Sequence, residues 1–179
     1  KLFFKNLFMG LLVIFGMVIV SLPFGINNII TQFSNTLVSY PYASANAYNF
    51  WALIGMNWAD QSSMFLMFSA KTWGSISIVL IVVFTFILSY KFNNKPYKYF
   101  ILSAFIILTM FIFSVRMHER YLYPFFALFI FVLIEKSNKY LWLVYGGIAA
   151  LNYYNTAHVL YFYDPSTYEN DHAYAAARN

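Results

Sequence analysis

Five apolar runs set the rhythm of the chain: Asn6–Phe24, Trp73–Tyr90, Tyr99–Val115, Tyr121–Ile134 and Tyr140–Tyr163. A helix that crosses a membrane needs roughly 20 apolar residues, because the hydrocarbon core is about 30 Å thick and the helix rises about 1.5 Å per residue. The fourth run falls short of that length. Its helix is expected to extend backwards, giving a span over 117–134, or to start inside a protein-lined cavity. The pattern predicts an all-α, polytopic membrane protein with about five transmembrane helices and extracytoplasmic helices at the interface. Residues 1–179 read as a single transmembrane segment.

Between the first two runs lies a long stretch, Gly25–Thr72, too long for a simple connection and too apolar for a disordered one. "NNIITQFSNTLVSY" mixes apolar and polar positions as an interfacial amphipathic helix does. Pro41 ends that piece. Ser44 is a candidate N-cap for a short helix over Ala45–Met56, which would put Asn46, Asn49 and Leu53 on one face and Tyr48, Trp51 and Ala52 on another. After the fifth run, Ser166 and Glu169 have the spacing of a capping box.

Composition sharpens the class. Hydrophobic residues make up 61% of the chain and charged residues 9%, which excludes an ordinary soluble domain. There is no cysteine, hence no disulfide framework and no thiolate metal site. Net charge is +5, but the cations flank apolar runs instead of forming a basic face, so nucleic acid is not an expected partner. Aromatics reach 23%, as suits rings at the headgroup level. The bias toward Phe, Tyr, Ile, Lys and Asn fits an AT-rich genome and points to a bacterial plasma membrane. The first residue is Lys, so a piece of a longer chain is expected, with the remaining N-terminal part as a partner.

Charge placement orients the spans. With five alternating helices, Lys1, Lys5, Lys91, Lys95, Lys98, Lys136 and Lys139 all fall on one side, which the positive-inside rule makes cytoplasmic. The opposite side receives Lys71, Arg116, Arg120 and Arg178. It also receives five of the six acids: Asp60, Glu119, Asp164, Glu169 and Asp171.

That placement brings out "RMHER", Arg116–Arg120, at the edge of an apolar run. Charges at membrane depth cost of order 2.5–3.5 kcal/mol each, so a cluster there is either solvated or serves a site. On a helix Arg116 and Arg120 would lie one turn apart, with Glu119 pairing Arg116 at i, i+3 and orienting it. Two guanidiniums beside the His118 imidazole would cradle a phosphate or diphosphate. The alternative is a solvated anchor for a helix end. His118 belongs to no HExxH zinc motif, so no metal site is expected. Asn46, Asn49, Trp51 and Trp58 supply amides and indole faces of the kind that contact a sugar or an acceptor; an interfacial aromatic belt is the competing explanation. Asp60, the only acid in the long loop, is a weak candidate for a catalytic base, or else a cap.

"NAYNFWALIGMNW" (Asn46–Trp58) and "RMHERYLYPFF" (Arg116–Phe126) resemble the later portion of integral-membrane glycosyltransferases of the GT-C superfamily. These use polyprenyl-phosphate sugars. His118-Glu119-Arg120 is similar to the His-Glu-Lys/Arg of the N-glycan glucosyltransferase branch, which sits at the luminal end of a helix near the donor phosphate. The resemblance implies transfer of a hexose from a polyprenyl-phosphate donor to an extracytoplasmic acceptor. It implies membrane lipid and the lipid-linked sugar as partners, and no cofactor beyond that donor. Such enzymes have many more spans and carry their catalytic acid in the first extracytoplasmic loop. This chain has no Asp-Asp or Glu-x-Asp cluster, so the resemblance implies a C-terminal portion lacking the base. A polytopic transporter or flippase for a lipid-linked or polar solute is the other function expected of such a chain. It would call for broken helices and an inverted repeat, and neither is visible.

Overall fold

The computed structural model describes residues 2–92 and 95–162. The capping-box pair Ser166 and Glu169, together with Asp164, Asp171 and Arg178, lies outside them. The chain divides into two compact units, Lys1–Tyr40 and Pro41–Asn179.

In the first unit, helix α1 (Leu2–Ser21) runs into a 3-10 turn, Leu22–Phe24, and helix α2 (Ile26–Val38) follows. Gly25, at φ 77°, makes the corner between them, a conformation that favours glycine. The described side chains of α1 are mostly exposed and apolar, from Phe4 through Val20. Helix α2 is amphipathic, as its alternation of Ile and Phe with Asn, Gln and Thr predicts.

In the second unit the apolar runs become α4 (Ala70–Lys91), α5 (Lys98–Phe113), α6 (Tyr123–Glu135) and α7 (Lys139–Phe162). Successive helices run up and down. Phe100 of α5 stacks on Phe131 of α6 at 4.8 Å, and Phe126 of α6 meets Tyr145 of α7 edge-on at 5.6 Å. Phe125, Phe129 and Leu133 form the buried seam with Phe111 and Ala104 of α5. At one end of this bundle the turns are short and basic, and Lys136 lies 5.8 Å from the ring of Tyr97.

Two helices, at Leu7–Phe24 and Ala70–Lys91, are long and apolar enough to cross a membrane. Helix α5 is apolar but shorter, with 16 residues, and α6 has 13. A 3-10 turn, Glu119–Leu122, leads directly into α6. The expected helix over 117–134 is not formed as such: Met117 and His118 lie in a strand, residues 119–122 make the 3-10 turn, and the α-helix proper begins at Tyr123.

At the other end, residues 41–69 fold into a hub, where the expected helix over Ala45–Met56 is absent. Ser44–Ala45 forms strand β1 instead, and only Phe50–Leu53 is helical (α3). Strand pairing decides the difference. β1 pairs in parallel with β4 (Met117–His118), in the register Ser44↔Met117 and Ala45↔His118. On its other side, Ala43 N–H donates to the Ala59 carbonyl (2.8 Å) and Trp58 N–H to the Ser44 carbonyl (2.8 Å). The segment "ASANA" is small enough to run between two chains, with Ala43, Ala45 and Ala47 fully buried. Strands β2 (Met64–Phe65) and β3 (Phe68–Ser69) make a hairpin that leads into α4. Ser69 caps α4 by accepting from Thr72 N–H. Gly74 then lets α4 approach the backbone of Val115, where a Cβ would sit 3.2 Å from the Val115 nitrogen.

Candidate functional site

The RMHER segment is extended where a helix is expected. Ser114 ends α5, Arg116 adopts φ 63°, Met117 and His118 form β4, and Glu119 begins the 3-10 turn. Arg116 and Arg120 therefore do not stack one helical turn apart. The Arg116 N–H donates to the Tyr42 and Ala43 carbonyls at 3.1 and 3.3 Å. Its Nε donates to Gln61 Oε1 at 2.9 Å. Gln61 thus orients the Arg116 guanidinium, a role the sequence reading gave to Glu119. The Glu119 carboxylate instead lies 3.4 Å from Arg120 Nη1 and 4.0 Å from His118 Nδ1.

The three cationic candidates differ in access. Arg120 is exposed, and its guanidinium lies 5.8 Å from the Tyr121 ring. Arg116 is half-buried. His118 is buried, edge-on to Tyr121 at 5.2 Å. Burial holds the His118 pKa below its ordinary value, and the Arg120 charge adds to this while Glu119 opposes it. His118 is a neutral imidazole at neutral pH, a donor or acceptor without a charge.

The aromatic and amide candidates are largely structural. Trp51 is 1% exposed, and its Nε1 donates to the Phe113 carbonyl at 3.0 Å. With both faces enclosed it cannot stack on a sugar, which corrects that expectation. Trp58 is half-buried, edge-on to Tyr42 at 5.0 Å, and donates to Asn46 Oδ1 at 2.8 Å. Asn46, at φ 61°, also accepts from Asn57 Nδ2, while its N–H donates to Asn57 Oδ1. Asn46 is tied into the hub by these bonds. Asn49 caps α3 by accepting from Ala52 N–H at 3.1 Å. Asp60 is exposed, and its Oδ1 accepts from Ser62 N–H at 2.7 Å. Hydrogen bonds from the Ser62 side chain and backbone hold the Asp60 pKa low, which weakens it as a base and favours the turn-forming role.

Sequence reasoning missed Asn155 and Asn152 of α7. Asn155 is 1% exposed and clamps the hub. Its Oδ1 accepts from Tyr48 N–H (3.0 Å) and its Nδ2 donates to the Asn46 carbonyl (2.8 Å). The available signal was two amides at i, i+3 inside an apolar run, where polar groups are costly. Among the described residues no cluster of three or more His, Asp or Glu is placed to hold a metal. Comparison with known protein families, curated proteins and solved structures returns no match.

Proposed function

We propose that this chain is part of a multi-pass membrane glycosyltransferase that moves a hexose from a polyprenyl-phosphate donor to an extracytoplasmic acceptor. The observation that carries the reading is the placement of Arg116–Arg120. These residues close a strand-paired hub at the end of the helices opposite Lys91, Lys95, Lys98, Lys136 and Lys139. The exposed apolar side chains of α4, among them Val79, Val83 and Phe86, suit lipid contact. In the proposed five-span topology, α6 and its 3-10 turn together reach across most of the hydrocarbon core.

In this reading Arg120 presents its guanidinium fork to the lipid-linked phosphate, and Arg116, braced by Gln61, approaches from the β4 side. Neutral His118 offers a hydrogen bond without adding charge. Glu119 orients Arg120 and His118. As the glycosidic bond to phosphate breaks, negative charge grows on the leaving oxygen, and the guanidiniums stabilise it. The base that takes the acceptor proton lies elsewhere in the enzyme, since Asp60 is held as a weak base.

The test is binding of farnesyl phosphate, a short polyprenyl phosphate, to the purified full-length protein in lipid nanodiscs. It is read beside hexose transfer from a polyprenyl-phosphate sugar. A charge-assisted hydrogen bond is worth about 1.5–3 kcal/mol. Arg120→Ala should therefore weaken binding about ten- to a hundredfold, and Arg120→Lys should also impair it. Unchanged binding in Arg116→Ala, His118→Ala and Arg120→Ala alike would return the cluster to a solvated helix-end anchor.

A further inference from the structure

Three rings meet where α7 passes the hub. The Tyr48 ring lies 6.1 Å from Tyr154 and 5.7 Å from His158, and Tyr154 lies 6.2 Å from His158. The three centroids mark a nearly equilateral triangle, with the ring planes tilted to one another. Rings that served only as core would bury their faces. Here Tyr48 is 46% and Tyr154 61% exposed, and none of the three belongs to the buried seam of the bundle.

The fold fixes this meeting. Tyr154 and His158 are four residues apart on α7 and so share a face. Tyr48 comes from the hub, more than a hundred positions earlier. The residue that holds it there is Asn155, next to Tyr154, whose Oδ1 accepts from the Tyr48 N–H and whose Nδ2 donates to the Asn46 carbonyl. A buried amide inside an apolar helix is costly, and this one sets the Tyr48 backbone beside the turn that carries Tyr154 and His158. A tyrosine that only anchors a helix at the headgroup level needs no such partner.

The chemistry of the rings defines what they take. They adjoin a cavity of about 560 Å³, lined by Tyr48 with Asn49, Leu53 and Asn57, a size usual for small-molecule sites. No charged residue is among those lining it, so an ion would enter without a counter-charge. Each tyrosine offers an apolar face and a hydroxyl that both donates and accepts, and the imidazole adds ring nitrogens. A hydrocarbon would use the faces and leave the polar edges unmatched. A neutral ring with a C–H face and a rim of hydroxyls uses both. We propose that Tyr48, Tyr154 and His158 form a stacking platform for a neutral pyranose ring. The platform is near the Arg116–Arg120 segment, because Asn46 bridges to His118 and Tyr48 follows two residues later, at most about 7 Å along the chain. In the transferase reading, on which the assignment to a substrate rests, the ring is the sugar of the acceptor or of the donor.

The test is saturation-transfer NMR of the full-length protein in lipid nanodiscs with maltose and cellobiose as probes. Both should receive saturation on their ring protons. Tyr154→Ala removes an exposed side chain and should weaken binding about five- to tenfold, while Tyr154→Trp should preserve it. Tyr153→Ala, on the same helix, 75% exposed and outside the triangle, should change nothing. Binding of neither disaccharide at tens of millimolar would overturn the proposal, and so would equal losses in Tyr153→Ala and Tyr154→Ala. Farnesyl phosphate bound by a protein that ignores both sugars would keep the phosphate site and remove this one; the reverse result would keep the platform and remove the phosphate site. Farnesyl-phosphoryl glucose should displace the bound disaccharide if the platform takes the donor's ring, and bind beside it if the platform takes the acceptor's.

Discussion

The two ends of the Pro41–Asn179 unit are built in opposite ways. At the lysine end, short connections join α4 to α5 and α6 to α7, and three of the cations there lie near tyrosine rings, Lys98 by Tyr99, Lys136 by Tyr97 and Lys139 by Tyr140. At the hub end, some thirty residues of chain are folded around two short strand pairings, three isolated bridges and a buried tryptophan. Of the four non-glycine residues with positive φ among the described residues, Asn46, Trp58 and Leu66 belong to the hub, and Arg116 to the segment hydrogen-bonded against it. Such conformations cost of order 1–3 kcal/mol each and persist where surrounding contacts enforce them. A bundle that needed only to join its helices could have used short turns at both ends. The contrast teaches that the hub's shape, and the side chains it presents, are what the fold maintains at a cost.

The comparison is easiest to break at Trp51. Trp51→Ala removes a fully enclosed indole and its bond to the Phe113 carbonyl, and should cost about 3–5 kcal/mol. Trp142→Ala, at the lysine end and 46% exposed, should cost far less. Thermal unfolding of the two variants in the same detergent measures the difference. Asn155→Leu should come next, at about 2–4 kcal/mol, because it strands the Tyr48 N–H and the Asn46 carbonyl together. Limited proteolysis should then cut within residues 41–69 before it cuts the helices.

Backbone strain gives a smaller and more selective effect. Arg116→Gly and Arg116→Ala lose the same contact with Gln61, but glycine tolerates φ 63° and alanine does not. The glycine variant should therefore be more stable by about 1–2 kcal/mol, while both lose the guanidinium. Equal stabilities would remove the argument from strain. The smallest effect is with pH. Because His118 is held below its ordinary value, the unfolded chain binds that proton more tightly than the folded one. Stability should be undiminished above about pH 6.5, the unfolded value, and should fall as pH drops through it toward the folded value. His118→Gln should flatten the unfolding midpoint across that range.

The same contrast explains what could be read from sequence. The helices were legible because an apolar run and its flanking lysines are local signals; α4 and α7 start and end within three residues of the expected bounds. The hub was not legible. Ser44 and Ala45 pair with Met117 and His118 more than seventy positions away, and no local pattern encodes that register. Read locally, "SANAYNFWALIGM" is a helix; paired, it is a strand, a turn and one helical turn. The clustering of charge at Arg116–Arg120 was visible in the sequence; the segment's extended shape was not. Its bracing by Gln61, and the clamp at Asn155, depended on neighbours brought together by the fold.

The central claim is that the two ends face opposite sides of a membrane, with the hub outside. The chain has no cysteine, so single-cysteine variants report cleanly. Ser62, exposed in the hub, and Lys95, in the basic turn, are the two positions to compare. The measurement is labelling by a membrane-impermeant maleimide in intact and permeabilised cells that carry the full-length protein. The account predicts that Ser62→Cys is labelled in intact cells and Lys95→Cys only after permeabilisation. Labelling of both from the same side would contradict it.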